Sequence, residues 1–163
     1  MRAKVRIESM VEADIGAVVD MDSPTYFRES QLRDELRRPW SHMWVAREAG
    51  SASSNLVGFL ALWHVVDELH VLNLVTRTDR RRTGIGRGLM EAALAFARDK
   101  RVKQVLLEVR RSNAAAIALY RKVGFHATRV RAAYYADDED AVEMTLRLDP
   151  NTGEVVLRED EAG

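Results

Sequence analysis

Residues 71–90 read Val71-Leu72-Asn73-Leu74-Val75-Thr76-Arg77-Thr78-Asp79-Arg80-Arg81-Arg82-Thr83-Gly84-Ile85-Gly86-Arg87-Gly88-Leu89-Met90. A β-rich run gives way to an arginine-rich loop, and glycines then open a segment whose apolar residues Ile85, Leu89, Ala92, Ala93 and Phe96 fall on one helical face. Strand, loop and helix in that order place a helix N-terminus beside flexible backbone. Glycine lets the backbone approach a ligand closely, the helix start adds positive potential, and arginine neutralises an anion. Such a loop suits a pyrophosphate; the plainer alternative is a glycine-rich turn with solvated arginines. Two other nucleotide motifs do not fit. Gly-x-x-x-x-Gly-Lys-Ser/Thr is absent, and Leu89 stands where the dinucleotide fingerprint starting at Gly84 requires Gly or Ala.

Downstream of this stretch, the helix Gly84–Lys100 leads to an apolar strand, Gln104–Val109. A second helix, capped by Ser112, runs to Val123 and closes at Gly124, where a left-handed residue suits glycine. Strands follow at Phe125–Val130 and Ala141–Leu148. Upstream, Val5–Glu8 reads as a strand and Met10–Met21 as a helix, with Val11, Ile15, Val18 and Val19 at helical spacing. Ser30–Arg38 is a further helix that must end near Pro39, because the residue before a proline is pushed out of the α region. Strands at Met43–Arg47, Leu56–Val66 and Leu69–Val75, separated by a turn at Gly50–Asn55 and another at Asp67, form an antiparallel meander. The fold class is therefore mixed α+β: a meander first, then strand-helix-strand-helix-strand. Asp149–Gly163, with turn residues and an acidic end, reads as a small hairpin or a frayed tail.

The 163 residues are enough for one domain of ordinary size, and 47% hydrophobic with 31% charged residues is a globular balance. With no cysteine, the chain has no disulfides, thiolate metal sites or cysteine nucleophile. No apolar run approaches a membrane span and the first residues lack a signal-peptide core, so a cytoplasmic location without membrane attachment is expected. The formal net charge is zero, but residues 71–131 carry 15 basic and 4 acidic side chains. That segment is either an anion site or a solvated face balanced by the acidic C-terminal part. His42, His64, His70 and His126 show no zinc-type spacing, and no metal is expected.

Arg81 to Gly86 matches the (Q/R)xxGx(G/A) loop with which the Gcn5-related N-acetyltransferase (GNAT) superfamily holds the pyrophosphate of acetyl-CoA, and the chain resembles that superfamily from about Ile7 to Leu146. The likeness sharpens toward the RimI-like branch at LLEVRRSNAAAIALYRKVGF (residues 106–125) and at YYADDEDAVEM (residues 134–144). The resemblance implies an acetyltransferase domain over residues 1–148, with a central, mostly antiparallel twisted sheet of about seven strands flanked by about four helices. It implies acetyl-CoA as co-substrate. Leu74, Val75 and Thr76 would pair their backbone with the pantetheine arm; Arg81, Arg82, Thr83, Gly84, Ile85, Gly86 and Arg87 would hold the pyrophosphate, and Asn113 would bind the coenzyme too. It further implies Glu108 as general base, Tyr120 as general acid, and Tyr134 and Tyr135 as acceptor-binding residues. The acceptor it implies is a protein N-terminus, that of an alanine on a small-subunit ribosomal protein. Direct nucleic-acid binding is not expected. Two stretches depart from the family pattern. Thr76-Arg77-Thr78-Asp79-Arg80 stands where Val-Asp-Pro-Glu-Tyr is frequent, and Pro24-Thr25-Tyr26-Phe27 where Pro-Trp-Ser is frequent.

The implied chemistry suits these residue types. Transfer to an amine needs the neutral amine, and an α-amine of pKa near 8 needs little help from a base. Glu108 ends an apolar strand, where partial burial suits a carboxylate to that work, directly or through a water; its alternative is a solvated strand-end partner of Arg110. Tyr120 follows Asn113 by seven residues, two turns along one helix face, so both can address one ligand; its alternative is a core tyrosine. A phenol there can protonate a departing thiolate. Without cysteine, direct attack in a ternary complex is favoured over a covalent acetyl-enzyme. The acid-rich loop Asp137–Asp140 beside Tyr134 and Tyr135 would favour acceptors with basic second residues. Trp40, Trp44 and Trp63 read as core or rim. Two rival functions remain at this level: a small-molecule amine acetyltransferase on the same fold, and a non-catalytic acyl-CoA-binding or ribosome-binding module, which would not need Glu108 with Tyr120.

Overall fold

Burial alternates residue by residue along residues 104–109, whereas residues 56–62 are buried throughout, the two patterns of a half-covered and a fully covered strand. The computed structural model describes residues 4–21, 27–49 and 55–157. Seven strands, β1 (Val5–Ser9), β2 (Ser41–Glu48), β3 (Leu56–Val65), β4 (Glu68–Thr76), β5 (Gln104–Arg110), β6 (His126–Arg131) and β7 (Ala141–Arg147), form one mixed sheet in the order β1-β2-β3-β4-β5-β7-β6. Among the described residues four helices accompany it: α1 (Ile15–Val19), α2 (Glu29–Glu35), α3 (Ile85–Asp99) and α4 (Ala114–Val123). The strands pair antiparallel at β1–β2, β2–β3, β5–β7 and β6–β7, and β4 pairs parallel with β5 over Glu68–Val71 against Gln104–Leu107. This is the α+β architecture expected from the sequence.

The chain divides into two compact units, Met1–His64 with Leu72–Leu94, and Val65–Val71 with Ala95–Gly163. In the first, Met10, Ile15, Val18, Leu32, Met43, Val45, Leu56, Phe59 and Val75 form the buried core. Gly58 lies inside β3 because no side chain fits there. A Cβ at this position would stand 2.9 Å from Leu89 Cδ1, 3.0 Å from Ile85 Cγ2 and 3.3 Å from the Val75 carbonyl oxygen. The first turns of α3 thus pack directly on the β3 backbone. In the second unit, Val105, Leu107, Val109, Phe125, Val142, Met144 and Leu146 are buried, and Gly124 ends α4 at φ +115°. Leu148 bridges Val155 antiparallel beyond a turn at Pro150–Gly153.

Three local expectations need correction. Met10–Met21 is not one helix but a 3-10 turn, Glu12–Asp14, followed by the five-residue α1. The Asp14 carboxylate accepts the Val11 N–H at 3.0 Å and pairs with Arg47 of β2 at 2.5 Å, which tightens the first turn. The second helix stops at Glu35, with the turn Leu36–Arg37 ahead of Pro39. Its buried Glu35 accepts from Ser41 Oγ at 2.6 Å, Trp63 Nε1 at 2.8 Å and Arg38 at 2.5 Å. The cap of α4 is Asn113, whose Oδ1 accepts the Ala116 N–H at 3.2 Å; Ser112 instead donates its hydroxyl to Glu139. The loop Pro24–Tyr26 and the turn at Gly50–Ser54 lie outside the described residues.

Candidate active site

The structure distributes the residues singled out from the sequence over both units. The first holds Leu74, Val75, Thr76 and the whole run Arg81–Arg87. Val75 is buried in β4, and Leu74 and Thr76 on either side are half-buried. After β4 the chain makes a 3-10 turn, Thr78–Arg80, although no proline fixes it. Arg77 anchors that turn, donating its N–H to the Val57 carbonyl at 2.8 Å and its guanidinium to Asp79 (2.6 Å) and the Leu56 carbonyl (3.2 Å). Arg80 binds the Glu48 carboxylate through both Nε and Nη2. The hydrogen bonds from Arg80 hold the Glu48 carboxyl below the usual range, and those from Arg77 do the same for Asp79. Two arginines of the basic segment are therefore structural.

The loop that follows leads into the N-terminus of α3. Arg82 (φ +64°) and Gly84 (φ +89°) are both left-handed, a backbone that glycine adopts without strain. Thr83 Oγ1 donates to the Arg80 carbonyl at 2.5 Å and pins the middle of the loop. Gly88 donates to the Gly84 carbonyl at 2.9 Å, the first helical bond of α3, so the N–H groups of Ile85, Gly86 and Arg87 have no acceptor within the helix. Ile85 is buried against Gly58 while Arg81 and Arg82 are exposed, which leaves the backbone of the turn at the surface. Arg87 pairs with Glu91 one turn on, at 3.1 Å. A pyrophosphate fits this donor set.

The second unit holds Glu108, Asn113, Tyr120, Tyr134 and Tyr135. Glu108 lies near the end of β5, and the cation next to it is not Arg110. Arg131 Nε, on β6, stands 3.3 Å from Glu108 Oε1, and the carboxylate side chain is 28% exposed. Tyr120 is buried on α4, 8% exposed, its ring 5.8 Å from that of Phe125. Burial, with a smaller contribution from Tyr135, pushes its phenol up to about 12. A phenol that keeps its proton so firmly remains a proton donor throughout the physiological range.

Tyr134 and Tyr135 pack edge to face at 5.1 Å. The Arg110 guanidinium lies 4.1 Å from the Tyr135 ring centre, and Arg131 lies 5.7 Å from that of Tyr134. The acid-rich loop is differently used than expected. Arg110 binds Asp137 at 2.9 Å and Glu139 at 2.8 Å, Arg111 binds Asp140 at 3.1 Å, and Glu139 also accepts the Ser112 N–H at 2.9 Å. Hydrogen bonds from Arg110 hold Asp137 below the usual range, those from Ser112 do so for Glu139, and the Ala133 N–H does so for Asp140. These charges fasten the end of β5 to the β6–β7 loop.

Sequence reasoning passed over Arg131 and Glu143. Glu143 of β7 lies directly across from Glu108 of β5 and from Arg129 of β6. The spacing of Arg129 and Arg131 on one strand face was available as a signal. The register was not, because an irregularity between Ala127 and Arg129 shifts β6 against β7.

Comparison with known proteins agrees with this architecture. Residues 7–125 match the model of the acetyltransferase (GNAT) family. The [ribosomal protein bS18]-alanine N-acetyltransferase of Escherichia coli K12 is 35% identical over 121 residues, covering 68% of this chain and 82% of that protein. An N-alpha-acetyltransferase of Sulfurisphaera tokodaii is 40% identical over 85 residues, about half of each chain (52% and 51%). The crystal structure of the ribosomal-protein-S18-alanine N-acetyltransferase from Escherichia coli superposes with a TM-score of 0.76 at 28% identity, covering 88% of this chain and 94% of that one. Together with the sheet order and the glycine-containing loop ahead of α3, these matches place the chain in the GNAT family of acetyltransferases, as an acetyl-CoA-dependent N-acetyltransferase.

Proposed function

We propose that this enzyme acetylates the N-terminal α-amine of a protein, that of an alanine on a small-subunit ribosomal protein, in the cytoplasm. The observation that carries the reading is the buried Tyr120 of α4 in the same unit as Glu108 at the end of β5. The names of the Escherichia coli and Sulfurisphaera relatives support the acceptor class. Among the described residues no helix is long and apolar enough to cross a membrane, in keeping with the proposed location.

In this reading acetyl-CoA supplies an activated acetyl thioester. The backbone of Arg82–Arg87 holds its pyrophosphate, Leu74–Thr76 align its pantetheine arm, and Asn113 contributes through the amide nitrogen that its capping bond leaves over. Glu108 takes a proton from the acceptor amine, directly or through a water, as the new N–C bond forms. Tyr120 gives its proton to the sulfur as the S–C bond breaks. Tyr134 and Tyr135 border the acceptor's first residues.

The test is product analysis by mass spectrometry on a peptide beginning Ala and containing one internal lysine, its N-blocked form, a polyamine and an aminoglycoside. Acetate is expected on the α-amine alone. Lysine acetylation of the N-blocked peptide at a comparable rate, or preferred acetylation of the small amines, overturns the reading in favour of a small-molecule amine acetyltransferase.

A further inference from the structure

Three strands bring four charged side chains to one place. Glu108 on β5 lies directly across from Glu143 on β7, and Glu143 lies across from Arg129 on β6. Directly opposed carboxylates on neighbouring strands repel one another. Arg131, two residues beyond Arg129, reaches between them: its Nη2 donates to Glu143 Oε2 at 3.1 Å, and its Nε stands 3.3 Å from Glu108 Oε1. Arg129 adds a contact to the same Glu143 oxygen at 3.2 Å. Burial pushes the Glu143 carboxyl up, and the guanidiniums of Arg131 and Arg129 more than offset it.

The Arg131 contact to Glu108 has an unusual quality. Nε is shielded from solvent, yet it makes no aligned hydrogen bond. The guanidinium is fixed from its other side by Glu143 and lies beside the Tyr134 ring. It therefore acts on Glu108 through charge and proximity, and leaves the carboxylate lone pairs available for another proton donor.

We infer that Arg131 is the positioning residue for Glu108: it sits between two facing carboxylates, screens Glu108 from Glu143, and keeps the Glu108 carboxylate aimed for proton abstraction. This rests on Glu108 being the base. Without the guanidinium, Glu143 would push the Glu108 carboxylate away from its working position. A displacement of about 1 Å at a reacting group can cost about a hundredfold in rate.

The experiment is a set of variants assayed for kcat and KM with the Ala-starting peptide, alongside calorimetry with CoA and thermal unfolding. Arg131→Gln is expected to lower kcat by roughly 10- to 100-fold with CoA affinity unchanged. Adding Glu143→Gln to Arg131→Gln is expected to restore most of the loss, because the repelling charge is then gone. Adding Arg131→Gln to Glu108→Gln is expected to change nothing further, because Arg131 acts through Glu108. A folded Arg131→Gln with wild-type kcat, or one whose loss Glu143→Gln does not relieve, overturns the inference. If Arg131→Gln alone fails to fold, Arg131→Lys and the Arg131→Gln/Glu143→Gln pair carry the same test. Full activity in Glu108→Gln would refute the base assignment itself, a separate outcome from full activity in Arg131→Gln beside an inactive Glu108→Gln.

Discussion

Gly58→Ala places one methyl group where the first turns of α3 rest on β3. Ordinary carbon–carbon contact is about 3.5 to 4.0 Å, whereas the new Cβ would meet Leu89 Cδ1 at 2.9 Å and Ile85 Cγ2 at 3.0 Å. Leu89 is fully buried and Ile85 is 7% exposed, so neither can swing into solvent. The Val75 carbonyl at 3.3 Å closes the third side. The start of α3 must lift, and the strain of such overpacking is about 1 to 3 kcal/mol. In a chain of this length each kcal/mol lowers the melting temperature by about 2 to 4 °C. Ile85 is also the first residue of the helix whose N-terminal N–H groups are proposed to hold the pyrophosphate, so the displacement should reach CoA binding. Urea unfolding and calorimetric titration with CoA measure the two effects on one preparation. We expect a loss in both, with kcat at saturating acetyl-CoA less affected than KM. Gly16→Ala is the control, since a Cβ there meets nothing within 4 Å. A Gly58→Ala protein with wild-type stability and wild-type CoA affinity would refute the packing argument.

Glu108→Gln keeps the shape of the carboxylate and removes the base; kcat should fall by about 10² to 10⁴ at neutral pH with CoA binding intact, as steady-state kinetics and calorimetry would show. Tyr120→Phe should lower kcat, and it should also alter alkaline stability. A phenol at about 12 in the fold against 10 when unfolded contributes stability below pH 10 that is lost as pH rises toward 12. The wild type should therefore lose about 2 kcal/mol between pH 9 and pH 11.5 that Tyr120→Phe does not, by urea titration at those two pH values. Arg82→Ala should raise the KM for acetyl-CoA with little change in kcat, because phosphate contacts are shared by ground and transition states; a pure kcat defect would contradict the cradle.

The order of elements was legible because burial and periodicity agree locally. β3 and β5 are apolar runs, α3 buries Ile85, Leu89 and Ala93 of the expected stripe while Ala92 and Phe96 are half-buried and Met90, Leu94 and Ala97 complete the face, and Gly124 marks the end of α4 where φ becomes positive. Errors came where a distant partner decides. Asp14 turns the first helix into a 3-10 turn because Arg47, far along the chain, holds its carboxylate. Ser112 lost the cap of α4 because Glu139 takes its hydroxyl. The same holds at the candidate site. The glycines and arginines around Gly84 are contiguous, and so the loop leading into α3 could be read from them. The neighbours of Glu108 come from two other strands, one of them offset by an irregularity, and no local pattern announces that Arg131 rather than Arg110 stands beside it. Nor does local sequence reveal that Asp137, Glu139 and Asp140 already have cations of their own.

The helix α4 also acts as a measuring rod. Its ten residues run about 15 Å, too short a helix to persist unaided, so its two ends define it: Asn113 closes the first turn and Gly124 stops the last. Tyr120 sits a fixed seven steps from the starting mark, an angular error of about 20° after two turns. One residue inserted or removed between Asn113 and Tyr120 would swing the phenol by about 100° about the helix axis, out of its buried seat beside Phe125. Substitutions on the exposed side, at Arg121 or Lys122, leave that distance untouched. The spacing of this segment is thus constrained more tightly than its composition, and its length should be the last thing here to drift.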